Sequence, residues 1–327
     1  MQIIHETEYE ETMKNTVEPY LSARRRELYV PGADYPFRNE NKRITGKIHM
    51  LQYLSDAPKG VVVISHGFTE SAAKYDEVAY YFLKEGYHVY IPEHCGHGRS
   101  YRLTADPFLV HIDTWRRYVR DFLKACRYIK KAHPDLSLNL YAHSMGGAIG
   151  TLFLEKYPEV FERAVLSSPM LQVNFGKNPT WLVKVLMVLS KILRWDLKYV
   201  PGQKGFDHVY VFATSSSTSE PRYAYIFNQR EQVPQYTSYG GTYAWTRASI
   251  KATKQIARDA GKVQIPVLLC QAGRDTMVRA EGQEYFAKNS GNTRIVRFPD
   301  SKHELFTATY DIMLPYYEEV FDFYAEK

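Results

Sequence analysis

The stretch Leu138-Asn139-Leu140-Tyr141-Ala142-His143-Ser144-Met145-Gly146-Gly147 constrains this chain more than any other. Leucines alternating with polar residues predict a strand, residues 148–157 predict a helix, and Ser144 falls in the turn between them. Small residues on both sides, Ala142 and Gly146, let the two arms approach without a Cβ clash. A serine in that position is held on a strained turn with its hydroxyl lifted clear of the sheet, as in a nucleophile elbow. Ala142 stands where glycine is commoner, which adds only a methyl. A chance small-x-Ser-x-Gly turn has the same letters, so the flanking segments must decide.

Those segments alternate strand and helix. Residues 8–27 are charged with apolar residues at helical spacing, which predicts a helix across the outside of the core, and 31–41 form a turn-rich connector. Residues 45–53 alternate like a half-buried strand near a sheet edge. Val61-Val62-Val63-Ile64 is a continuous apolar run, as suits a strand covered on both faces in a parallel sheet. Helix follows over 72–85, strand over 87–92, a long amphipathic helix over 113–133 ahead of Pro134, and strand over 162–167. This alternation predicts an α/β fold: a mostly parallel central sheet with helices on both faces.

The rhythm lapses after Met170 and resumes with a helix over 242–259, a strand over 267–270, a helix over 281–288, a strand over 293–298 and a terminal helix to Lys327. The expected organisation is therefore a core of residues 1–169 and 240–327, with 170–239 inserted as a cap over the carboxyl end of the sheet. Within the insertion, residues 181–193 place Leu182, Val185, Leu186, Leu189, Ile192 and Leu193 on one helical face and Lys184 and Lys191 on the other. That face either packs on the core or meets a lipid surface near the site, and both readings stay open here.

Composition narrows the compartment and the partners. An apolar share of 45% and a charged share of 24% suit a soluble globular chain, and 327 residues fit one large α/β domain or two smaller ones. Net charge is +6, which reads as a solvated basic face, and no basic element interleaved with aromatics points to nucleic acid. Three cysteines, Cys95, Cys126 and Cys270, are too few and odd in number for a disulfide framework and fit a reducing compartment. Residues 1–14 are acidic and polar, unlike a secretory signal, and no apolar run is long enough to span a bilayer. The expectation is a cytoplasmic protein, with a peripheral membrane contact left open.

A serine hydroxyl attacks only if a base takes its proton, and the base needs an acid to fix its tautomer and stabilise its cation. In sheets of this kind the three arrive in the order Ser, Asp or Glu, His, each from a loop after a strand. Beyond Ser144 the histidines are His208, in the insertion, and His303, after the last strand; the order selects His303. Asp275, in Gln271-Ala272-Gly273-Arg274-Asp275, is the candidate acid, with Asp300 and Glu281 as competitors. Charge on a tetrahedral oxygen needs prearranged donors, and the main-chain N–H groups of Met145 and Phe68 are the candidates. His143 is expected to be turned away by the elbow and to pack or bond behind it. Glu93-His94-Cys95-Gly96-His97-Gly98-Arg99-Ser100 has neither the third glycine of a phosphate loop nor a further metal ligand, and reads as loop packing.

With these residues in place the chain resembles the α/β-hydrolase superfamily, within it the monoglyceride lipase and bacterial lysophospholipase group. The resemblance runs over residues 61–323 and is weakest across the insertion. Its matching pieces are Ser65-His66-Gly67 with Glu70, the 93–100 loop, Ala142-His143-Ser144-Met145-Gly146-Gly147, and Asp275 and His303 in their loops. Gly240-Gly241-Thr242-Tyr243-x-Trp245 resembles the lysophospholipase branch in particular. The resemblance implies hydrolysis of a lipid carboxylic ester with one acyl chain, beneath a cap, without metal or organic cofactor. Two other functions stay on the table. An aminopeptidase of the prolyl type shares the fold and triad but needs acidic residues beneath the cap, where Asp207 and Glu220 are available. A catalytically silent lipid-binding or partner-binding module would keep the fold without the chemistry.

Overall fold

The computed structural model describes residues 2–33, 35–36, 43–44 and 46–326. Among them is an eight-stranded sheet whose strands are β1 (Arg25–Pro31), β2 (Lys47–Tyr53), β3 (Gly60–Ser65), β4 (Tyr87–Pro92), β5 (Leu138–His143), β6 (Arg163–Ser167), β7 (Val267–Ala272) and β8 (Thr293–Phe298). The spatial order is β1-β2-β4-β3-β5-β6-β7-β8. Pairing is antiparallel between β1 and β2 and between β2 and β4, and parallel from β4 through to β8.

The apolar runs explain why the sheet is covered on both faces. Along β3, Val61 and Val63 enter one core while Val62 and Ile64 enter the other. Leu140 and Tyr141 of β5, and Leu269 and Leu268 of β7, divide in the same way, because successive strand side chains point to opposite faces. The first face is covered by α2 (Trp115–Ala132), α3 (Met145–Leu154) and α6 (Tyr243–Asp259). The second is covered by α1 (Asp76–Lys84) and α8 (Tyr310–Ala325). Caps set two of these helices: the Thr114 hydroxyl accepts from Arg116 N–H, and the Thr242 hydroxyl accepts from Trp245 N–H. Helix α7 (Ala280–Asn289) lies between β7 and β8 in the chain.

Two expectations change. Residues 8–27 are not one helix: short helical pieces end at Ser22, and Arg25 already belongs to β1. Tyr9, Met13, Val17 and Leu21 are the buried stripe whose spacing suggested a longer helix. Strand β2 is buried from Ile48 to Tyr53 rather than half-buried, because Ile48 and Met50 enter one core and Leu51 and Tyr53 the other. The connector expected over 31–41 falls largely outside the described residues.

Residues 170–239 add no strand to the eight-stranded sheet and carry α4 (Thr180–Ile192) and α5 (Glu220–Gln232), the second of which no sequence pattern announced. Helix α4 rests on α6, where Arg247 donates to the Ser190 hydroxyl at 2.6 Å and pairs with Asp196. The side of α4 turned inward carries Met187 and Ser190, with Leu186 half-buried. Leu182, Val185, Leu189, Ile192 and Leu193 face solvent, as do Trp181 at 66% and Val188 at 59% exposure. The apolar face predicted for this helix therefore does not pack on the core.

Helix α5 is tied down by Arg222, which is fully buried. Its guanidinium bonds both carboxylate oxygens of Glu77 on α1, at 2.8 to 3.2 Å, and donates to Ile4 O at 2.6 Å. It also lies over the Tyr9 ring. Removing one partner of such a pair strands the other charge in the core. Arg222→Leu should cost on the order of 3 kcal/mol in urea unfolding, whereas the double change Arg222→Leu with Glu77→Leu should recover much of that loss. Equal losses in the single and double variants would show that packing, not charge, is what Arg222 supplies.

Candidate active site

Ser144 joins β5 to α3 with φ of 52° and ψ of −117°, a backbone conformation that side chains other than glycine rarely adopt. The strain persists because the surroundings leave no alternative. Ser144 N–H donates to Ser167 O at 3.1 Å, its carbonyl accepts from Met170 N–H at 2.9 Å, and the helix begins at once. Gly146 follows because a Cβ there would lie 2.0 Å from Ser65 O and 2.5 Å from His66 O. The first turn of α3 is thus pressed against the end of β3.

The loops after β3, β7 and β8 converge on this turn. His303 Nε2 lies 2.8 Å from Ser144 Oγ, and His303 Nδ1 lies 2.6 Å from Asp275 Oδ2. All three side chains are largely withdrawn from solvent. Burial by itself raises the Asp275 carboxyl, but the bond from His303 and main-chain donors from Met277 (2.7 Å) and Val278 (3.1 Å) outweigh it and hold the group below its ordinary value. The competing acids lie elsewhere: Asp300 is exposed, and Glu281 pairs with Arg279 at 3.3 Å. Among the described residues, the N–H groups of Phe68 and Met145 carry no protein acceptor, while Gly67 N–H is taken by Glu70. The Phe68 ring packs on Trp245, with centroids 4.4 Å apart.

His143 is not turned away. Its ring lies 4.8 Å from that of His303 and 4.9 Å from that of Phe306, and its Nδ1 is 3.0 Å from Ser167 O. Burial lowers it to about 4, so it stands neutral beside His303. The 93–100 loop packs around Glu93, whose carboxylate accepts from Ala72 and Arg99 main-chain N–H groups and lies 2.8 Å from His49 Nδ1. His94 and His97 of that loop are buried against His66.

A cluster that the sequence reading did not assemble lies beside the elbow. Lys74 Nζ bridges Glu70 at 2.7 Å and Glu304 at 2.8 Å. Glu70 also accepts from Tyr75 OH at 2.6 Å and from Gly67 N–H at 2.5 Å, which braces the loop that presents Phe68. Burial raises the Glu70 carboxyl, but Lys74, His143 and Tyr75 outweigh it and hold it far below its ordinary value. The i, i+4 spacing of Glu70 and Lys74 was the available signal. Glu70, Lys74 and Glu304 line a cavity of about 500 Å³ that reaches Ser144 and His303 and is also lined by Lys204, Asp207, Val209, Val211, Tyr223, Ile226, Arg230, Tyr239 and Met277.

The family model described as "Serine aminopeptidase, S33" matches residues 56–309. Lysophospholipase L2 of Escherichia coli is 31% identical over 259 residues, 76% of this chain and 74% of that protein. The chain is an α/β-hydrolase of the monoglyceride lipase and lysophospholipase group. Monoacylglycerol lipase of Mycolicibacterium smegmatis is 27% identical to this hydrolase over 76% of the chain and 82% of its own length. A thermostable carboxyl esterase from Bacillus coagulans shares the fold with a TM-score of 0.72 at 16% identity, over 92% of this chain and 97% of that one. By its membership this hydrolase is a carboxylic ester hydrolase.

The Lys74 bridge gives a test in which the sign depends on pH. Lys74→Met leaves two buried carboxylates facing each other and should destabilise the hydrolase by on the order of 3 kcal/mol at pH 7. In the native chain both carboxyls sit below their ordinary values, so their contribution is present at neutral pH and fades as pH falls through the ordinary carboxyl range and below. In the variant their values rise instead, so acid relieves the repulsion. The gap between the two proteins in urea unfolding should therefore narrow from pH 7 to pH 4.5; a constant gap would count against the bridge.

Proposed function

We propose that this hydrolase cleaves the carboxylic ester of a single-acyl lipid, a monoacylglycerol or a lysophospholipid, through Ser144, His303 and Asp275. The observation that carries the reading is the pair of hydrogen bonds linking Ser144 to His303 and His303 to Asp275. Asp275 accepts from His303 Nδ1–H, which leaves Nε2 unprotonated to take the Ser144 proton as Oγ attacks the acyl carbonyl. The N–H groups of Phe68 and Met145 stabilise the oxyanion. His303 then protonates the leaving alcohol, and water activated by the same imidazole releases the fatty acid from the acyl-enzyme. The acyl chain has apolar wall in Phe68, Val209, Val211, Ile226 and Met277, all of which line the cavity. Residues 170–239 act as its cap.

The aminopeptidase reading needs a carboxylate free to meet a substrate ammonium. The candidates in the cavity are already engaged: Glu70 and Glu304 with Lys74, and Asp207 with Lys204. Glu220 accepts from Tyr210 OH at 3.3 Å and does not line the cavity.

Mutation tests the chemistry. A fluorophosphonate should label the native chain and not Ser144→Ala, and that variant and His303→Ala should each lose several orders of magnitude in turnover with the fold intact. Asp275→Asn should lose roughly 10⁴-fold, because the amide favours the wrong tautomer of His303. An active Asp275→Asn beside an inactive Asp300→Asn would reassign the acid, and no labelling at Ser144 would favour the silent module.

The solvent-facing apolar side of α4, flanked by exposed Lys184 and Lys191, suits a peripheral contact with a lipid surface. No described helix is long and apolar enough to cross a membrane. Leu189 and Ile192 are 44% and 69% exposed, so changing both to Ser should leave the melting temperature and cleavage of a soluble short ester unaltered. Hydrolysis of long-chain monoacylglycerol in micelles should fall several-fold. Parallel losses on both substrates would remove the lipid contact from this helix.

A further inference from the structure

Three carboxylates (Glu70, Asp207 and Glu304) and three cations (Lys74, Lys204 and Arg230) line the cavity, and only Arg230 among these cations touches no carboxylate. Lys74 is held between Glu70 and Glu304, and Lys204 is paired with Asp207. Arg230 lines the same cavity and has no carboxylate partner among the described residues.

What holds Arg230 is main chain. Nε donates to Tyr236 O at 3.1 Å, and Nη2 donates to Thr69 O at 2.9 Å and to Ser238 O at 2.7 Å. The guanidinium also lies 5.2 Å from the Phe206 ring centroid and 5.5 Å from that of Tyr239. A guanidinium has five N–H donors, and these bonds use three of them. Among the described residues both hydrogens of Nη1 remain without a protein acceptor, and Nη1 is not among the buried nitrogens closed off from solvent. Burial lowers the group, and the more distant carboxylates of Glu304 and Glu70 only partly oppose that.

A guanidinium that touches no carboxylate, with its plane already fixed and two N–H donors left over, is a receptor for an anionic oxygen. Partial desolvation strengthens the attraction, and little side-chain entropy remains to be lost on binding. Thr214 and Ser216 line the same cavity. We infer that Arg230 receives the phosphodiester of a lysophospholipid head group, so that the site takes a phosphorylated single-acyl ester in preference to a monoacylglycerol. This rests on the lipid-ester reading above and makes Arg230 a specificity-determining residue.

The test compares the native chain, Arg230→Gln and Arg230→Lys on lysophosphatidylethanolamine and on a monoacylglycerol of the same acyl chain, both in detergent micelles. The native chain should prefer the phospholipid in kcat/KM. Arg230→Gln should lower the ratio of the two kcat/KM values by at least roughly tenfold, as loss of a hydrogen bond to a charged group does, and Arg230→Lys should restore part of it. In parallel, sn-glycerol 3-phosphate should inhibit cleavage of a soluble short ester by the native chain and fail against Arg230→Gln. A ratio unchanged in Arg230→Gln, with both lipids cleaved more slowly, would overturn the assignment and leave Arg230 a clamp on three carbonyls. A native preference for monoacylglycerol would also overturn it. Inorganic phosphate inhibiting as well as glycerol 3-phosphate would overturn the head-group assignment in favour of a free-phosphate site. If the native chain cleaves neither lipid, the lipid-ester reading fails, while loss of glycerol 3-phosphate inhibition in Arg230→Gln would still uphold an anion site at Arg230.

Discussion

The site depends on how closely the first turn of α3 approaches the end of β3. Gly146 sits against the Ser65 and His66 carbonyls with no room for a Cβ, and this contact places Ser144 and Phe68 at one point. The same close approach goes with the positive φ at which the elbow holds Ser144. The sheet supplies the rest of the convergence. Parallel strands β3, β5, β7 and β8 all end on the same side, so four loops meet without a long excursion from any of them.

Buried charge gives those loops their shape. Glu93 fastens the 93–100 loop by accepting from main-chain amides, and Glu70 does the same for the turn before Phe68. A carboxylate that satisfies several amides holds a loop more firmly than apolar packing alone, because any other loop conformation leaves an ion unsatisfied in a low-dielectric interior. Lys74 keeps this arrangement compatible with a neighbouring Glu304, and the neutral His143 ring fills the space between Glu70 and His303 without adding charge. Around the cavity the carboxylates of Glu70, Asp207 and Glu304 are thereby matched in number by Lys74, Lys204 and Arg230, although Arg230 touches none of them.

The parts that were legible in the sequence are those set by local pattern. Val61–Ile64 reads as a doubly covered strand because its run of four apolar residues leaves neither face a polar side chain, and the structure divides it between two cores. Chain order and strand ends picked out Ser144, Asp275 and His303, and the structure brings these three within hydrogen-bond reach. Less was legible wherever a residue's neighbour lies far along the chain. Helix α5 has its polar and aromatic residues spread around the axis, so it lacks a stripe; what holds it is Arg222 meeting Glu77. Arg230 looked like one basic residue among 42 lysines and arginines until its three carbonyl acceptors were seen. The inward fate of Met187 and Ser190, and the outward one of Ile192, depended on where α6 lies.

Arg222 also bears on the order in which the molecule can be assembled. Its partners lie 145 and 218 residues earlier in the chain, at Glu77 and Ile4. Closing loops of that length is entropically costly until the sheet has brought their ends together, so these bonds form late. During synthesis the N-terminal segment leaves the ribosome with the carbonyl of Ile4 and the carboxylate of Glu77 lacking the guanidinium that finally covers them. The wall of the cavity contributed by α5 is therefore completed after the nucleophile turn, whose strand neighbours β3 and β6 both precede α5 in the chain.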